Sequence, residues 1–318
     1  MARSRRIPTT LTPEAYRRVV LVALFFVAAI VLTGASVRLS GSGLGCPTWP
    51  RCTGDDLIDI SEPHRAVEQI NRLFTSAILV AVTVAFGGAF RRRPYRRDLA
   101  WFGAWLIGGV VLQAIIGGIV VLLELQWQSV ALHFLASFVL LYGTLELLRR
   151  SAEPGGPRRV VVATAVRRLT EVVFGLASIV LVFGTVVTGA GPHGGDEDVA
   201  RLDWPLENAV RLHSVAVWAL VAATVLLIAR ARRASAAVTM QRAEALLAAI
   251  VLQGSLGYVQ WFNRVPPVLV AFHVVGAVVV FSLATWLRFA SFSPTGVTNG
   301  ELSDSHDAGM AVRGVGGQ

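Results

Sequence analysis

The sequence predicts an all-α polytopic membrane protein with eight transmembrane helices in two related halves. Hydrophobic residues make up 54% of the 318 residues and charged residues only 15%, which excludes an ordinary soluble domain. The apolar residues gather in stretches of about 20, the length that a helix needs to cross a bilayer. An internal repeat divides these stretches into two sets of four. The predicted spans are 19–37, 66–90, 99–123, 129–148, 169–190, 207–229, 244–262 and 267–287.

The repeat is carried by a glutamine, a glycine and a histidine with the same spacing in both halves. Each Gln ends a Val-Leu-Gln tripeptide in one apolar stretch, and the His lies at the start of the next stretch. The matching residues are Gln113, Gly117 and His133 in the first half and Gln253, Gly257 and His273 in the second. The tripeptide Thr-Gly-Ala also recurs, at residues 33–35 and 188–190. We therefore expect the two histidines at the same face of the membrane.

The arginines predict the orientation of the chain. The formal net charge is +9, but the basic residues gather in alternate loops, which is the pattern of the positive-inside rule and not that of a nucleic-acid-binding protein. The clusters lie at 2–6, 91–97, 149–168 and 230–242. They predict a multi-pass protein of the cell membrane with both termini in the cytoplasm and the repeated histidines near the outer face.

These signals divide the chain into five segments. A cytoplasmic N-terminal segment, linker and tail flank the two halves, and the tail is rich in Gly, Ser and Asp, which predicts disorder. The segments are the N-terminal segment 1–18, the N-terminal half 19–148, the linker 149–168, the C-terminal half 169–287 and the tail 288–318.

Four of the six histidines lie at the outward ends of alternate spans. They are His64, His133, His213 and His273. Ionisable groups at membrane depth are costly and usually functional, so this set predicts a cofactor or proton site. Haem iron takes axial nitrogen ligands on opposite faces of the porphyrin, and two facing helices can each supply one imidazole. His213 and His273 meet that requirement, which predicts a b-type haem; zinc would need further donors that do not recur in the C-terminal half.

The N-terminal half lacks one of the expected histidines. When the halves are overlaid, His273 falls on His133, but His213 falls on Asn71. An Asn amide is a poor iron ligand, and His64 lies seven residues earlier on the same predicted helix. Either His64 replaces the missing ligand or the N-terminal site holds its haem through His133 alone.

Glu68 lies on the same predicted helical face as Asn71. A carboxylate at this depth suits proton movement when it is unpaired, but Arg65 and Arg72 are each within one turn, and either could form an ion pair with it. Both interpretations stay open from the sequence. Arg72 and Arg211 lie close to the predicted haem positions and are candidate partners for the anionic propionates.

Both cysteines, Cys46 and Cys52, fall in the first outward loop. An oxidising compartment is consistent with a disulfide bond between them. Two free thiols are one alternative, and a metal-binding pair is another, for which only His64 is near in the sequence.

Several motifs resemble those of the haem A synthase family. Residues 43–52 read Gly-Leu-Gly-Cys-Pro-Thr-Trp-Pro-Arg-Cys, similar to the Gly-Leu-x-Cys-Pro-Asp-Trp-Pro-x-Cys loop of that family. Residues 184–193, which read Gly-Thr-Val-Val-Thr-Gly-Ala-Gly-Pro-His, resemble its fifth-helix motif. The Glu-x-x-Asn-Arg sequence at 68–72, the repeated glutamines and the late histidines occur in the order that the family shows. The resemblance covers about residues 19–287.

The resemblance implies two pseudo-symmetric four-helix bundles and an oxidoreductase that acts on a methyl group of haem O. Members of the family oxidise that methyl to a formyl, which gives haem A for cytochrome c oxidase biogenesis. By this resemblance His213 and His273 ligate a tightly held haem b, the N-terminal half receives the haem O substrate, and Glu68 is the catalytic carboxylate. Cys46 and Cys52 match a disulfide in the outward loop of many members.

One departure from the family concerns the substrate site. The family's usual Glu-x-x-His-Arg reads Glu-x-x-Asn-Arg here, with Asn71 in place of the His. The chain is similar in this respect to actinobacterial-type members, which carry a His four residues before the Glu, as His64 is here. We therefore expect His133 to ligate the substrate iron, with His64 as a second ligand or a propionate partner.

Two other functions would use the same histidines. A diheme b-type membrane cytochrome would carry electrons, and a haem carrier would serve cytochrome maturation. Asn71 disfavours the cytochrome, because an electron carrier gains from two firmly ligated haems, whereas an exchangeable substrate gains from one weaker site. Haem O and membrane lipid are the expected partners, and haem O synthase or oxidase assembly factors are further candidates that no motif identifies.

Overall fold

The described residues fold into eight long helices. The computed structural model describes residues 10–54 and 56–295. The helices are α1 Pro13–Leu39, α2 Pro63–Arg91, α3 Arg97–Leu122, α4 Trp127–Ala152, α5 Thr164–Ala190, α6 Leu206–Arg233, α7 Ala237–Phe262 and α8 Pro267–Phe289. Each is long and apolar enough to cross a membrane. The chain is therefore a multi-pass membrane protein, and the eight predicted spans are confirmed.

Several helices extend beyond the predicted spans at their arginine-rich ends. Helix α1 begins at Pro13 rather than at residue 19, and Oγ1 of Thr12 accepts a hydrogen bond from the N–H of Ala15 at 3.2 Å, which caps the helix. Hydropathy marks only the apolar part of a membrane helix, whereas the backbone hydrogen bonds continue into the polar flank. Residues 1–9 lie outside the described residues.

The helices pack as two four-helix bundles. In the first bundle, α1 and α3 each contact both α2 and α4, so the four helices close a ring. Helices α5 to α8 repeat this arrangement. The bundles meet where α8 contacts α1 and α4, and where α4 contacts α5. Helices that lie diagonally in a ring, such as α6 and α8, face each other across its interior.

An aromatic cluster lies where the bundles meet. The ring of Phe281 on α8 contacts Phe138 of α4, with centroids 5.2 Å apart, and Phe174 of α5, with centroids 5.8 Å apart. Tyr142 of α4 contacts the same Phe174 at 5.8 Å. Rings at these separations attract each other in addition to the area they bury, so the cluster ties α4, α5 and α8 together.

The two ends of the molecule differ in chemistry. The loop end carries the connections 40–62, 123–126, 191–205 and 263–266. The arginine end carries the other connections and the charged ends of the helices. There Glu146 is buried and binds Arg149 and, at 2.7 Å, Arg150; Arg149 also binds Glu153 at 2.6 Å. Because each charge has a partner, the end of α4 can be buried without leaving an isolated ion.

Two short strands close the arginine end. Strand β1, Arg158–Val160, pairs antiparallel with strand β2, Phe292–Pro294. This pairing corrects one expectation: residues 288–295, at the start of the tail 288–318 that composition predicts to be disordered, are ordered. The last turn of α8 and the strand hydrogen bonds hold them. The rest of that tail lies outside the described residues.

Candidate functional site

One large cavity lies inside the loop-end half of both bundles. Its volume is about 1570 Å³, above the roughly 300–1,000 Å³ of a typical small-molecule pocket. All eight helices contribute to its mostly apolar lining. The polar residues that line it include Glu68, Asn71, Gln113, His133, His213, Gln253 and His273. The cavity therefore joins the two halves of the repeat in one space.

Three of the predicted histidines line this cavity. His133 lies on α4, His213 on α6 and His273 on α8. His213 and His273 occupy diagonal helices of the second bundle and are close enough to interact electrostatically. Two imidazoles therefore approach one space from different helices.

The repeated glutamines hold the backbone of the repeated histidines. Nε2 of Gln113 donates a hydrogen bond to the carbonyl of His133 at 3.1 Å and another to Oγ of Ser137 at 2.7 Å. Nε2 of Gln253 donates to the carbonyl of His273 at 2.7 Å. The repeat in the sequence is therefore a repeat in the structure, in which a side chain of one helix fixes the backbone of the next.

A glycine lies against each of the three imidazole rings. The pairs are Gly117 with His133, Gly257 with His273 and Gly184 with His213. A Cβ atom on the glycine would lie 3.2, 3.3 and 3.5 Å, respectively, from Cε1 of the histidine. The first two distances are shorter than an ordinary van der Waals contact. A larger residue in place of the glycine would therefore displace the imidazole ring.

These imidazoles fit an iron porphyrin. Nδ1 of His133 and Nδ1 of His273 are buried and have no hydrogen-bond partner among the described residues. A neutral imidazole is a metal ligand through an unprotonated ring nitrogen. A porphyrin supplies four nitrogens to its iron and leaves the axial positions to protein side chains. One or two imidazoles facing an apolar cavity are therefore a sufficient donor set for a haem.

Asn71 stands where the repeat would place a histidine in the first bundle. It lies on α2, diagonal to His133 on α4, and lines the same cavity. Oγ1 of Thr33, on α1, donates a hydrogen bond to Oδ1 of Asn71 at 2.9 Å. The amide is thus tied to the neighbouring helix, and the two bundles present different groups at equivalent positions.

Glu68 forms an ion pair with Arg72, which is one of the two interpretations that the sequence leaves open. Its carboxylate is buried and accepts hydrogen bonds from Nε and Nη2 of Arg72 at 3.0 and 2.6 Å. Its Oε2 also accepts a hydrogen bond from the backbone N–H of Cys46 at 2.7 Å. Arg65 binds Asp59 instead, at 2.8 Å. Glu68 also lines the cavity, so one carboxylate contacts both the loop and the interior space.

Arg72 holds the disulfide loop against α2. A disulfide bond joins Cys46 and Cys52, which confirms the expected pairing. Nη2 of Arg72 donates to the carbonyls of Cys46 and Thr48 at 3.0 Å each, and Nη1 donates to the carbonyl of Arg51 at 3.3 Å. The loop and the neighbouring carboxylate thus bind most of the donors of this guanidinium, and its contact with a propionate stays a prediction.

Two other candidate residues, His64 and Arg211, are exposed. His64 is exposed at the start of α2, with Nδ1 2.9 Å from Oγ of Ser42, and it is not among the described residues that line the cavity. The structure does not bring His64 together with His133, and its role as a ligand stays a prediction. Arg211 is exposed on α6 and does line the cavity, and its contact with a propionate is likewise still a prediction.

The sequence does not predict that four further residues line the cavity. Trp49 lies against Gly118, and Trp127, Arg38 and Arg201 also line the cavity. They come from loops or from the ends of helices, where no period or repeat marks a buried position. Only the chain fold brings them together.

Comparison with known proteins identifies relatives of this chain. Residues 17–210 match the COX15-CtaA family, described as cytochrome oxidase assembly protein. A heme A synthase of Geobacillus thermodenitrificans is 34% identical over 122 residues, which are 37% of each chain. A heme A synthase of Staphylococcus aureus is 27% identical over 198 residues, which are 58% of this chain and 61% of the relative. A heme A synthase of Shewanella oneidensis is 27% identical over 186 residues, 53% of this chain and 54% of the relative.

These matches include much of the site. The chain spans from about two fifths to three fifths of the length of these curated relatives. The family match covers more than half of the 318 residues and includes the disulfide loop, Glu68, Asn71 and His133, whereas His213 and His273 lie beyond it. The chain therefore belongs to the haem A synthase family, the COX15-CtaA group of cytochrome oxidase assembly proteins.

Proposed function

We propose that this protein is a haem A synthase, an oxidoreductase that converts haem O to haem A by oxidising a porphyrin methyl to a formyl. The names of its relatives support this activity. The observation that carries the proposal is the position of Glu68, a buried carboxylate in the wall of a histidine-lined cavity. A protein that only carries electrons does not require an acid–base group there.

We assign the haem O substrate to the first bundle. His133 is the ligand for its iron, and Asn71 on the diagonal helix offers no comparable donor. Ligation from one side suits a molecule that must leave after conversion. The apolar lining of the cavity suits the farnesyl chain of haem O, because burial of apolar surface drives its transfer from water.

Glu68 is the proposed catalytic group. Oxidation of a methyl to a formyl, with water as the source of the oxygen, releases four protons to acceptors beside the ring and four electrons to an external acceptor. The carboxylate can accept one of these protons or stabilise positive charge on the methyl carbon. Arg72 and the N–H of Cys46 hold its two oxygens, so its position is fixed before the substrate enters.

His213 and His273 are the proposed ligands of a resident haem b in the second bundle. When bound, this group supplies one-electron transfer between the substrate site and an external acceptor. Gln253 holds the backbone of His273, and Gly257 leaves room beside its ring. The protein therefore sets the position of this ligand through contacts within the bundle.

We further propose that the protein lies in the cell membrane with the loop end outward and both termini in the cytoplasm. The arginine clusters at the opposite end support this orientation, as does the disulfide, which persists in an oxidising compartment. A cysteine introduced by Asn263→Cys, at an exposed position of the loop end, should react with a membrane-impermeant maleimide in intact cells. A cysteine introduced by Ser235→Cys, between α6 and α7, should react only in opened cells. Labelling of this cysteine in intact cells would show that the orientation is the opposite of the one proposed.

Co-expression with a haem O synthase tests the activity. The haems of the purified protein and of the membranes are extracted and identified by chromatography with mass detection. Haem A or its hydroxymethyl precursor, absent from cells with an empty vector, is the expected result. Haem B alone, in membranes that contain abundant haem O, would contradict the proposal and favour a diheme b-type cytochrome.

A further inference from the structure

Two arginines, Arg38 and Arg201, lie at the loop end between the bundles. Arg38 is in the last turn of α1, and Arg201 is in the connection 191–205 between α5 and α6. Both line the main cavity and also a second cavity of about 940 Å³, which shares several lining residues with the first. The pair therefore stands between the interior of the bundles and the loop surface.

The described residues do not balance the charge of these two guanidinium groups. The groups are close enough to repel each other, and burial lowers the pKa of Arg201. Nη2 of Arg201 is buried without a hydrogen-bond partner in the part of the chain that the structure describes. Asp196 and Glu197 line the second cavity, but within that same part neither forms an ion pair with Arg38 or Arg201.

Two other arginines that are partly or largely buried have carboxylate partners. Arg72 binds Glu68 at 2.6 Å, and Arg149 binds Glu153 at 2.6 Å. Removal of a charge from water without a partner is unfavourable. Two neighbouring guanidinium groups that face a cavity and form no ion pair with a described carboxylate therefore indicate a site for an anion.

The loops hold both arginines in place. The N–H of Gly43 donates a hydrogen bond to the carbonyl of Gly195 at 2.8 Å, which joins the segment after α1 to the segment after α5. Gly195 has a φ of +107°, a conformation that favours glycine, and a Cβ atom there would lie 3.4 Å from Cγ of Arg38. Nη1 of Arg201 lies against Gly194. The backbone thus approaches both side chains closely and sets their positions before a ligand enters.

We propose that Arg38 and Arg201 together bind a propionate carboxylate of a porphyrin in the main cavity. This inference rests on the proposed function, since it takes a porphyrin as the occupant of that cavity. The propionates are the anionic groups of the porphyrin, and guanidinium groups bind carboxylates through paired, charge-assisted hydrogen bonds. Arg38 comes from the first bundle and Arg201 from the second, so the site joins the two halves around one anion.

The test measures porphyrin binding without turnover. Haem-free protein in phosphatidylcholine nanodiscs is titrated with ferric protoporphyrin IX and with its dimethyl ester, in which the propionates are blocked. We expect the wild type to prefer the diacid by about tenfold or more, the order of one hydrogen bond to a charged group, and the Arg38→Gln and Arg201→Gln variants to lose that preference. Arg51→Gln is the matched control and should keep it, because it removes the same charge from an exposed side chain at the same end that is not among the described residues lining either cavity.

A second measurement separates anion binding from a structural role. Removal of an unbalanced charge should raise the melting temperature of the haem-free protein in Arg201→Gln, whereas loss of a structural contact would lower it. The diacid should raise the melting temperature of the wild type more than the ester does, and the two variants should respond equally to both. Equal binding of diacid and ester by the wild type, or an unchanged preference in both variants, would overturn the proposal.

A lipid phosphate has related chemistry, and nanodiscs with phosphatidylglycerol distinguish it. If that lipid stabilises the haem-free wild type but neither variant, while the diacid preference is the same in all three, the ligand is a lipid headgroup and the propionate assignment is wrong. A wild type that prefers the diacid but makes no haem A in co-expression would contradict the proposed function alone, because binding is measured without turnover.

Discussion

Glu68 and Arg72 lie one helical turn apart on α2 and form an ion pair with an N–O distance of 2.6 Å. The arginine reaches on to the carbonyls of Cys46 and Thr48, and the carboxylate accepts the N–H of Cys46. The same two side chains therefore anchor the disulfide loop and line the cavity. Loss of both side chains is therefore expected to affect the order of the loop as well as the chemistry of the site.

Substitution of Glu68 separates these two effects. Glu68→Gln keeps a carbonyl oxygen for the N–H of Cys46 but removes the charge, so we expect the disulfide loop to persist while haem A formation falls by about 100-fold or more, the scale of a lost acid–base group. The measurement is haem A per mole of protein in the co-expression assay. Glu62→Gln, an exposed residue near Arg65, is the control and should stay active. Near-normal product from Glu68→Gln would exclude the catalytic role.

The glycines beside the imidazoles offer a test of the two bundles separately. Gly257→Ala should shift the electron paramagnetic resonance of the resident haem, because the ring of His273 must move by a few tenths of an ångström. Gly117→Ala should leave that spectrum unchanged and lower haem O conversion. Alanine favours a helix over glycine by about 1 kcal/mol, so a loss cannot come from weaker helix formation.

The controls for these glycine variants lie in the same two bundles. Gly175→Ala on α5 and Gly108→Ala on α3 add a Cβ atom where no atom outside the local helix backbone lies within 4 Å, and both should behave as the wild type. Equal effects at the test and control positions would show that the contact with the imidazole ring is not the cause.

We expect the histidines of the two bundles to have different functions. His213→Ala should lose the haem that copurifies with the protein, because one axial ligand of the resident site is removed. His133→Ala should keep that haem and lose haem O conversion. A pyridine haemochrome assay gives the haem content, and chromatography of extracted haems gives the conversion. Loss of the copurifying haem in His133→Ala, with haem O conversion lost in His213→Ala, would show that the first bundle holds the resident haem and the second the substrate.

Asp59 should make the order of the loop insensitive to pH over a wide range. The hydroxyl and N–H of Ser61 donate to its carboxylate at 2.6 and 2.9 Å, and with Arg65 at 2.8 Å they hold the pKa of Asp59 well below its usual value. A pKa that is lowered on folding adds stability above the unfolded value of about 3.9. This stability is lost as the pH falls through the folded value.

We therefore expect the protection of this loop against hydrogen exchange, corrected for intrinsic rates, to stay constant from about pH 5 to 8 and to fall only below about pH 3.9. Asp59→Asn should lower the protection throughout that range, because the amide carries no charge to bind Arg65. Asp56→Asn, at an exposed position of the same loop, should leave it unchanged. Protection that falls already near pH 6 would contradict this role of Asp59.

The sequence predicts the features of this site that depend on local patterns. Hydropathy is a property of each helix alone, so all eight helices follow from it. The common spacing from Gln113 to His133 and from Gln253 to His273 reflects one hydrogen bond made twice. A repeated pattern can be recognised in the sequence alone because the same contact constrains both copies.

Contacts that depend on loops could not be predicted. Arg65 and Arg72 are both within one turn of Glu68, and the choice between them follows from the loop carbonyls that only Arg72 reaches. His64 shares a helical face with Glu68, yet it lies in the first turn of α2, beside Ser42. Periodicity gives the face of a helix, but it does not give the depth at which a cavity begins.

The cavity shared by the two bundles has a consequence for the descent of this chain. A protein built by duplication of a four-helix unit would ordinarily contain two modules that can be separated, yet here all eight helices enclose one compartment. One copy alone would enclose only its own part of this compartment, so the full cavity exists only in the fused pair. Selection therefore acts on the fused pair, and an Asn could take the position of a His in one copy while the other retained it.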